Sequence, residues 1–305
     1  MNLIKNIPLP ISGLVLALLS LGNLLQDIHP YLRYLFGAIG LIFLILIILK
    51  IVSHPQNVKE DFKNPVILSS FGTFSMSIML LSTYLTQFSS SIAYAIWIIG
   101  IVLHILLMIY FTYHFMIRNF DISNVYPSYW IVFVGITMAA ITSAVHNAPE
   151  IGFLFFIIGF IAMLLTMPLM FYRYIKKPDV PDVNKPLICI FTAIFSILIV
   201  GYINSAPGIS PEFLLIMYVI ACIFYIFAFI KLIEYRNLDF YPSFSAFTFP
   251  FVISALATKG VLGKMGSNLI LNCILEIEIA VAVIVVLYVL IRYLKFLKRN
   301  SGSRN

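Results

Sequence analysis

Ser69, Thr73 and Ser77 recur at steps of four, with Ser70, Gly72 and Ser75 beside them, so one face of a helix over 66–86 is small and hydroxylated. A second stripe, Tyr241, Ser245, Thr248, Val252, Ala255 and Lys259, recurs at steps of three and four and ends on a cation. Hydroxyls are neutral hydrogen-bond donors. Within a membrane they stabilise a passing anion yet let it leave, which a deep lysine or arginine would hinder. On this reading Ser69, Thr73, Ser77, Thr137, Ser245, Thr248 and Val252 line a path, and Lys259 stands at its outer mouth. The same residue types also serve close helix packing, and Lys259 equally suits a snorkelling helix end.

Those stripes need elements long enough to carry them through a bilayer. Of 305 residues, 62% are apolar and only 10% charged, and about 20 consecutive apolar residues cross a hydrocarbon core. Pro10, Pro65, Pro127, Pro186 and Pro242 recur every 55 to 62 residues, each just ahead of an apolar stretch. Proline is tolerated in the first turn of a helix, where its missing N–H has no partner to lose. The pattern predicts an all-α polytopic membrane protein of ten helices in five repeated hairpins, over 9–25, 31–52, 66–86, 91–117, 128–146, 149–175, 187–204, 211–235, 243–259 and 268–297. These form a single transmembrane domain over 1–305, with a short N-terminal segment 1–8 and a basic tail 298–305. The opening MNLIKNIPLP lacks the cleavage pattern of a removable signal and is read as mature sequence.

Serine and threonine divide unevenly, 21 in the odd-numbered spans and 3 in the even-numbered ones. A hydroxyl facing lipid gains nothing, whereas one facing another helix or water is satisfied, so the odd helices are expected as an inner ring around a pore and the even ones as an outer ring. The net charge of +7 reflects topology and not a nucleic-acid partner, because sixteen of the nineteen basic residues fall on one side of a ten-span chain. Only Arg33, Lys259 and Lys264 fall on the other. That split predicts a multi-pass protein with both termini cytoplasmic, and the plasma membrane is the expected location.

No cofactor and no bound metal are expected. Cys189, Cys222 and Cys273 lie inside spans without paired spacing, and the five histidines are scattered with no i, i+4 pair. The odd spans hold no interior carboxylate; Glu276 and Glu278 fall in the tenth span, two residues apart and so on different faces, in an interfacial structural role. An intramembrane enzyme would need clustered aspartates, a serine with histidine at membrane depth, or a G-x-S-x-G elbow, and none is expected from the sequence, which puts His104 and His114 in an even span with no nucleophile alongside.

The run Tyr241-Pro242-Ser243-Phe244-Ser245-Ala246-Phe247-Thr248-Phe249-Pro250 resembles the ninth-helix signature of the tellurite-resistance and dicarboxylate transporter family, which includes bacterial TehA and the plant slow anion channels. Tyr126-Pro127-Ser128-Tyr129 is similar to the opening of that family's fifth helix and Leu9-Pro10 to that of its first. The chain departs from TehA in having Tyr126 in place of histidine, and Gly135 without a nearby proline. The resemblance implies a homotrimer with one pore per subunit, inner kinked helices, and a phenylalanine gate at the position of Phe249, with Phe133 as a counterpart by the internal repeat. Phe247, two residues earlier on a helix, would point about 200° away. The resemblance implies transport of small inorganic or organic anions across the lipid bilayer, through a gated channel or alternatively by a proton-coupled carrier or exporter of C4-dicarboxylates, sulfite or tellurite.

Overall fold

A computed structural model describes residues 2–266 and 268–302; Met1, Ser267 and the end of the basic tail with Arg304 lie outside the described residues. The main elements are α1 (Leu9–Leu25), α2 (Pro30–Ser53), α3 (Pro65–Leu85), α4 (Ser90–Arg118), α5 (Ser128–Phe133 continued by Gly135–His146), α6 (Pro149–Lys176), α7 (Asp182–Ser205), α8 (Pro211–Tyr235), α9 (Pro242–Met265) and α10 (Leu269–Gly302). The short helix Asn2–Lys5 precedes α1 and Pro55–Asp61 follows α2, and no strand occurs among the described residues.

Eight of these elements are long and apolar enough to cross a membrane. The two that are not, α1 and the Gly135–His146 part of α5, are shorter apolar helices. Their shortness has local causes. α1 opens with the 3₁₀ turn Leu9–Ile11 around Pro10, and α5 is interrupted after Phe133 and resumes in a 3₁₀ turn at Gly135–Thr137. A Cβ at Gly135 would lie 2.9 Å from Met76 Sδ and 3.1 Å from His104 Cε1, so the break sits where two neighbours approach the bare backbone. His104 of α4 is fully buried there; its Nε2 donates to the Val132 carbonyl at 3.0 Å, and its Nδ1 lies 2.7 Å from Ser75 Oγ, so a serine does stand beside this histidine, contrary to the sequence expectation, because α4 packs directly on α3. A side chain thus takes a carbonyl beside the break, which would be costly to leave bare at membrane depth.

α9 is broken for a different reason. Pro250 has no N–H to give, so the chain runs as a 3₁₀ helix over Pro242–Phe247, passes Thr248 at φ −91°, ψ −78°, and becomes α-helical from Phe249. Thr248 Oγ1 donates to the Ser245 carbonyl at 2.6 Å. α7 likewise starts as the 3₁₀ stretch Asp182–Ile190 around Pro186.

α2, α4, α6, α8 and α10 are more continuous, and their most apolar windows are only 22 to 39% buried, against 72 to 89% for α3, α7 and α9. α1 is buried along almost its whole length. Prolines also open α2, α6 and α8, at Pro30, Pro149 and Pro211, while Ser89 and Ser210 cap α4 and α8. α1 packs on α3, α3 on α5, α5 on α7, α7 on α9, and α9 returns to α1; α2, α4, α6, α8 and α10 pack against the outside of these. Asn6 Nδ2 donates to the Asn300 carbonyl at 3.3 Å, which places both ends of the described chain at the same end of the molecule.

Candidate functional site

Three cavities follow one another along α1, α3, α7 and α9, and α5 lines two of them. The middle one, about 50 Å³, is lined by Gly13 of α1, Ser70, Thr73 and Met76 of α3, residues of α5 from Trp130 to Gly135, residues of α7 from Leu187 to Ile197, and Ser245, Ala246, Phe249 and Pro250 of α9. None of its lining side chains is ionisable, and its hydroxyls are Ser70, Thr73 and Ser245.

Toward the proline end lies a cavity of about 490 Å³, lined by Pro8, Pro10, Pro65, Pro242, Asn64, Asn124, Asn184 and Ser243 among others; Ser70 faces both it and the middle cavity. Lys50 lines it from α2, nearly inaccessible, with Nζ donating to the Ile7 carbonyl at 2.7 Å and paired with Asp61 Oδ2 at 2.9 Å. This cation is therefore neutralised in place.

Toward the opposite, distal end lies a second cavity of about 490 Å³, formed further along the same helices by Ser20, Asn23 and Gln26 of α1, Thr83 and Thr86 of α3, Thr142 of α5, Asn204 of α7 and Lys259 of α9, with Arg33 entering from α2. Arg33 Nη1 donates to Gln26 Oε1 at 2.9 Å and Nη2 to the Thr83 carbonyl at 3.0 Å, while the guanidinium lies 4.6 Å from the centre of the Tyr84 ring. Lys259 Nζ pairs with Asp27 Oδ2 at 2.6 Å.

The expected site residues divide by location. Phe249, Thr73 and Ser245 meet at the middle cavity, and Lys259 lines the distal one. Ser69, Ser77, Thr248, Val252 and Thr137 are fully buried between helices and do not line these three cavities. Ser69 Oγ donates to Ser128 Oγ at 2.8 Å, and Ser77 Oγ to the Thr73 carbonyl at 2.7 Å. Thr137 is approached closely by both α6 and α7: a Cβ on Gly159 would strike its Oγ1, and one on Gly201 its Cγ2. Phe133 turns away toward α4, edge-on to Phe111 at 6.0 Å, and α5 presents Trp130, Ile131, Val134 and Gly135 to the middle cavity instead. Phe247 packs on Phe244, ring centres 5.0 Å apart. The helical 200° offset from Phe249 does not describe this pair, because the break at Thr248 lies between them.

Arg33, Ser70 and Trp130 belong to the cavities without having been singled out as site residues. For Arg33 the signal was present, since it is one of the three basic residues on the sparsely charged side of the chain. Glu278 is buried against Thr258 of α9 and near Tyr218 and Tyr225 of α8, while Glu276 is exposed. Among the described residues no cluster of histidine, cysteine or carboxylate side chains has the make-up of a metal site.

No curated protein matches the chain. A family model does, that of SLAC1, described as a voltage-dependent anion channel, and it covers residues 6–294, from the start of the first hairpin to near the end of the last helix. Members of that family are channels or transporters, which agrees with a multi-pass helical membrane protein whose middle cavity holds hydroxyls and no fixed charge. A match of that extent, together with the ninth-helix run Tyr241–Pro250, four of whose residues line the middle cavity, places the chain in the SLAC1 voltage-dependent anion channel family, the tellurite-resistance and dicarboxylate transporter group.

Proposed function

We propose that this chain is a gated anion channel in which α1, α3, α5, α7 and α9 ring a single path and Phe249 closes it. The observation that carries the reading is that these five elements together line the middle and distal cavities, that all of them but α5 continue into the cavity at the proline end, and that the cavity touched by Phe249 has about a tenth the volume of either neighbour. An apolar ring across so narrow a place excludes water, and an anion stripped of water there meets a steep barrier. Ser70 and Ser245 supply the neutral donors of the path, Thr73 lines it with its Oγ1 donating to the Ser70 carbonyl at 2.8 Å, and Ser69, Ser77, Thr137, Thr248 and Val252 hold its wall together.

The reading includes a single ten-helix transmembrane domain. α1, although short, extends about 27 Å by its residue count, close to the ~30 Å of a hydrocarbon core. The excess of basic residues near the proline end makes that end cytoplasmic, together with both termini. A homotrimer with one path per subunit, in the plasma membrane, completes the proposal on the strength of the family resemblance.

A proton-coupled carrier of C4-dicarboxylates, sulfite or tellurite would need an ionisable group in its path. The middle cavity has none, and the cations of the two wider cavities are each paired or anchored, Lys50 by Asp61, Lys259 by Asp27 and Arg33 by Gln26 and the Thr83 carbonyl, which favours the channel. The test is flux of chloride, nitrate, malate and sulfite into liposomes of purified protein, with and without a proton gradient. Flux indifferent to the gradient is expected; flux that follows it would transfer the reading to the carrier.

A further inference from the structure

The distal cavity holds two cations and, at its edge, one carboxylate. Arg33 is anchored by Gln26, the Thr83 carbonyl and the Tyr84 ring, which use two of its five N–H groups and fix its orientation. Lys259 is held differently. Its ammonium, side chain 32% exposed, touches Asp27, whose side chain is 67% exposed in the turn between α1 and α2. Asn23, Gln26, Thr83, Thr86 and Asn204 surround the space between them with amides and hydroxyls.

An ammonium lining the same cavity as a fixed guanidinium presents an anion site, and Asp27 Oδ2 at 2.6 Å already occupies part of the ammonium's donor capacity. So exposed an ion pair is weak, because water and salt screen it. A mobile anion can therefore take the carboxylate's place on Lys259 while Asp27 swings into solvent.

We infer that Arg33 and Lys259 form an anion-capture site in the distal cavity, and that Asp27 is a tethered competing carboxylate which an incoming small anion must displace from Lys259. The inference rests on the anion-path reading above. It goes further in giving the mouth a built-in competitor, which sets the concentration at which the path fills: anions arriving at low concentration find Lys259 occupied, and those at high concentration displace Asp27.

The test uses nitrate as probe, at constant ionic strength. Asp27→Asn should lower the half-saturating nitrate concentration for flux into liposomes by about two- to fivefold, the factor expected from releasing one exposed ion pair. In a Lys259→Gln background the same change should have no effect, since the competitor then has nothing to occupy. An Asp27→Asn shift that persists in Lys259→Gln protein would reduce Asp27 to a general surface charge, and no shift in either background would remove the site.

A second readout separates this inference from the conduction reading. Nitrate binding to the detergent-purified protein raises its thermal midpoint according to occupancy, and Asp27→Asn should move that dependence to lower nitrate concentration. A shift in binding without any flux would keep the capture site and sink the channel; flux without a shift in binding would do the reverse.

Discussion

The middle and distal cavities are made by the same five helices, yet one is about 50 Å³ with no charged side chain, and the other about 490 Å³ with Arg33, Lys259 and a nearby carboxylate. Two physical jobs are separated along one set of elements. Where the helices are broken, at Gly135 in α5 and at Thr248–Pro250 in α9, side chains converge and the space is narrow and apolar. Beyond the breaks, toward the far ends of the same helices, polar residues have room and solvent, and charge can be carried at little cost. A barrier belongs in the first place and capture in the second.

The comparison breaks most sharply at the phenylalanine. Phe249→Ala removes the largest apolar side chain that α9 contributes to the middle cavity and should raise basal anion flux by at least about tenfold, equivalent to lowering a barrier by roughly 1.4 kcal/mol. Phe247→Ala is the control. That ring is fully buried against Phe244, so its loss should cost about 3–5 kcal/mol of stability and reduce folded protein without opening the path. Liposome flux normalised to monodisperse protein distinguishes the two. Unchanged flux in well-folded Phe249→Ala protein would make the middle cavity a packing defect and not a barrier.

A smaller effect is expected at the other end. Lys259→Glu should lower flux several-fold at about 10 mM salt, where charges act over about 30 Å, and much less at 1 M, where their reach shrinks to about 3 Å. If the variant matched the wild type at low salt, the distal cavity would contribute room and no field, and Lys259 would be a snorkelling helix end.

What was legible in the chain follows the same division. The long elements could be read because each needs some twenty apolar residues, and alternate burial because only helices that face other helices can use hydroxyls. Which neighbour each hydroxyl meets could not. α3 is buried on nearly all sides, so its residues share out among several partners: Ser69 to Ser128 of α5, Thr73 to Ser12 of α1 at 2.7 Å, Ser75 to His104 of α4, and Ser77 to its own helix. A stripe at steps of four identifies a face without saying what it faces. The break in α5 was equally hidden, because no proline marks it; it depends on Met76 and His104 closing on Gly135, contacts between distant parts of the chain. Phe249 was legible only through its motif, being one of 27 phenylalanines.

The smallest expected effect lies between the two cavities, at Thr137. Its Oγ1 is fully buried and has no hydrogen-bond partner among the described residues, since α6 and α7 approach it through Gly159 and Gly201, which offer no side chain. A buried hydroxyl without a partner costs stability, and replacing it by a methyl of similar shape removes that cost. Thr137→Val should therefore raise the thermal midpoint slightly, by up to about 1 kcal/mol in stability, and leave anion flux where it was. A hydroxyl that stabilised ions in transit would behave in the opposite way: its loss would lower flux and leave stability nearly unchanged. Measuring both quantities on one variant thus decides whether Thr137 belongs to the wall of the path or to its surface. Reduced flux would extend the polar lining past the middle cavity and soften the contrast between the two regions.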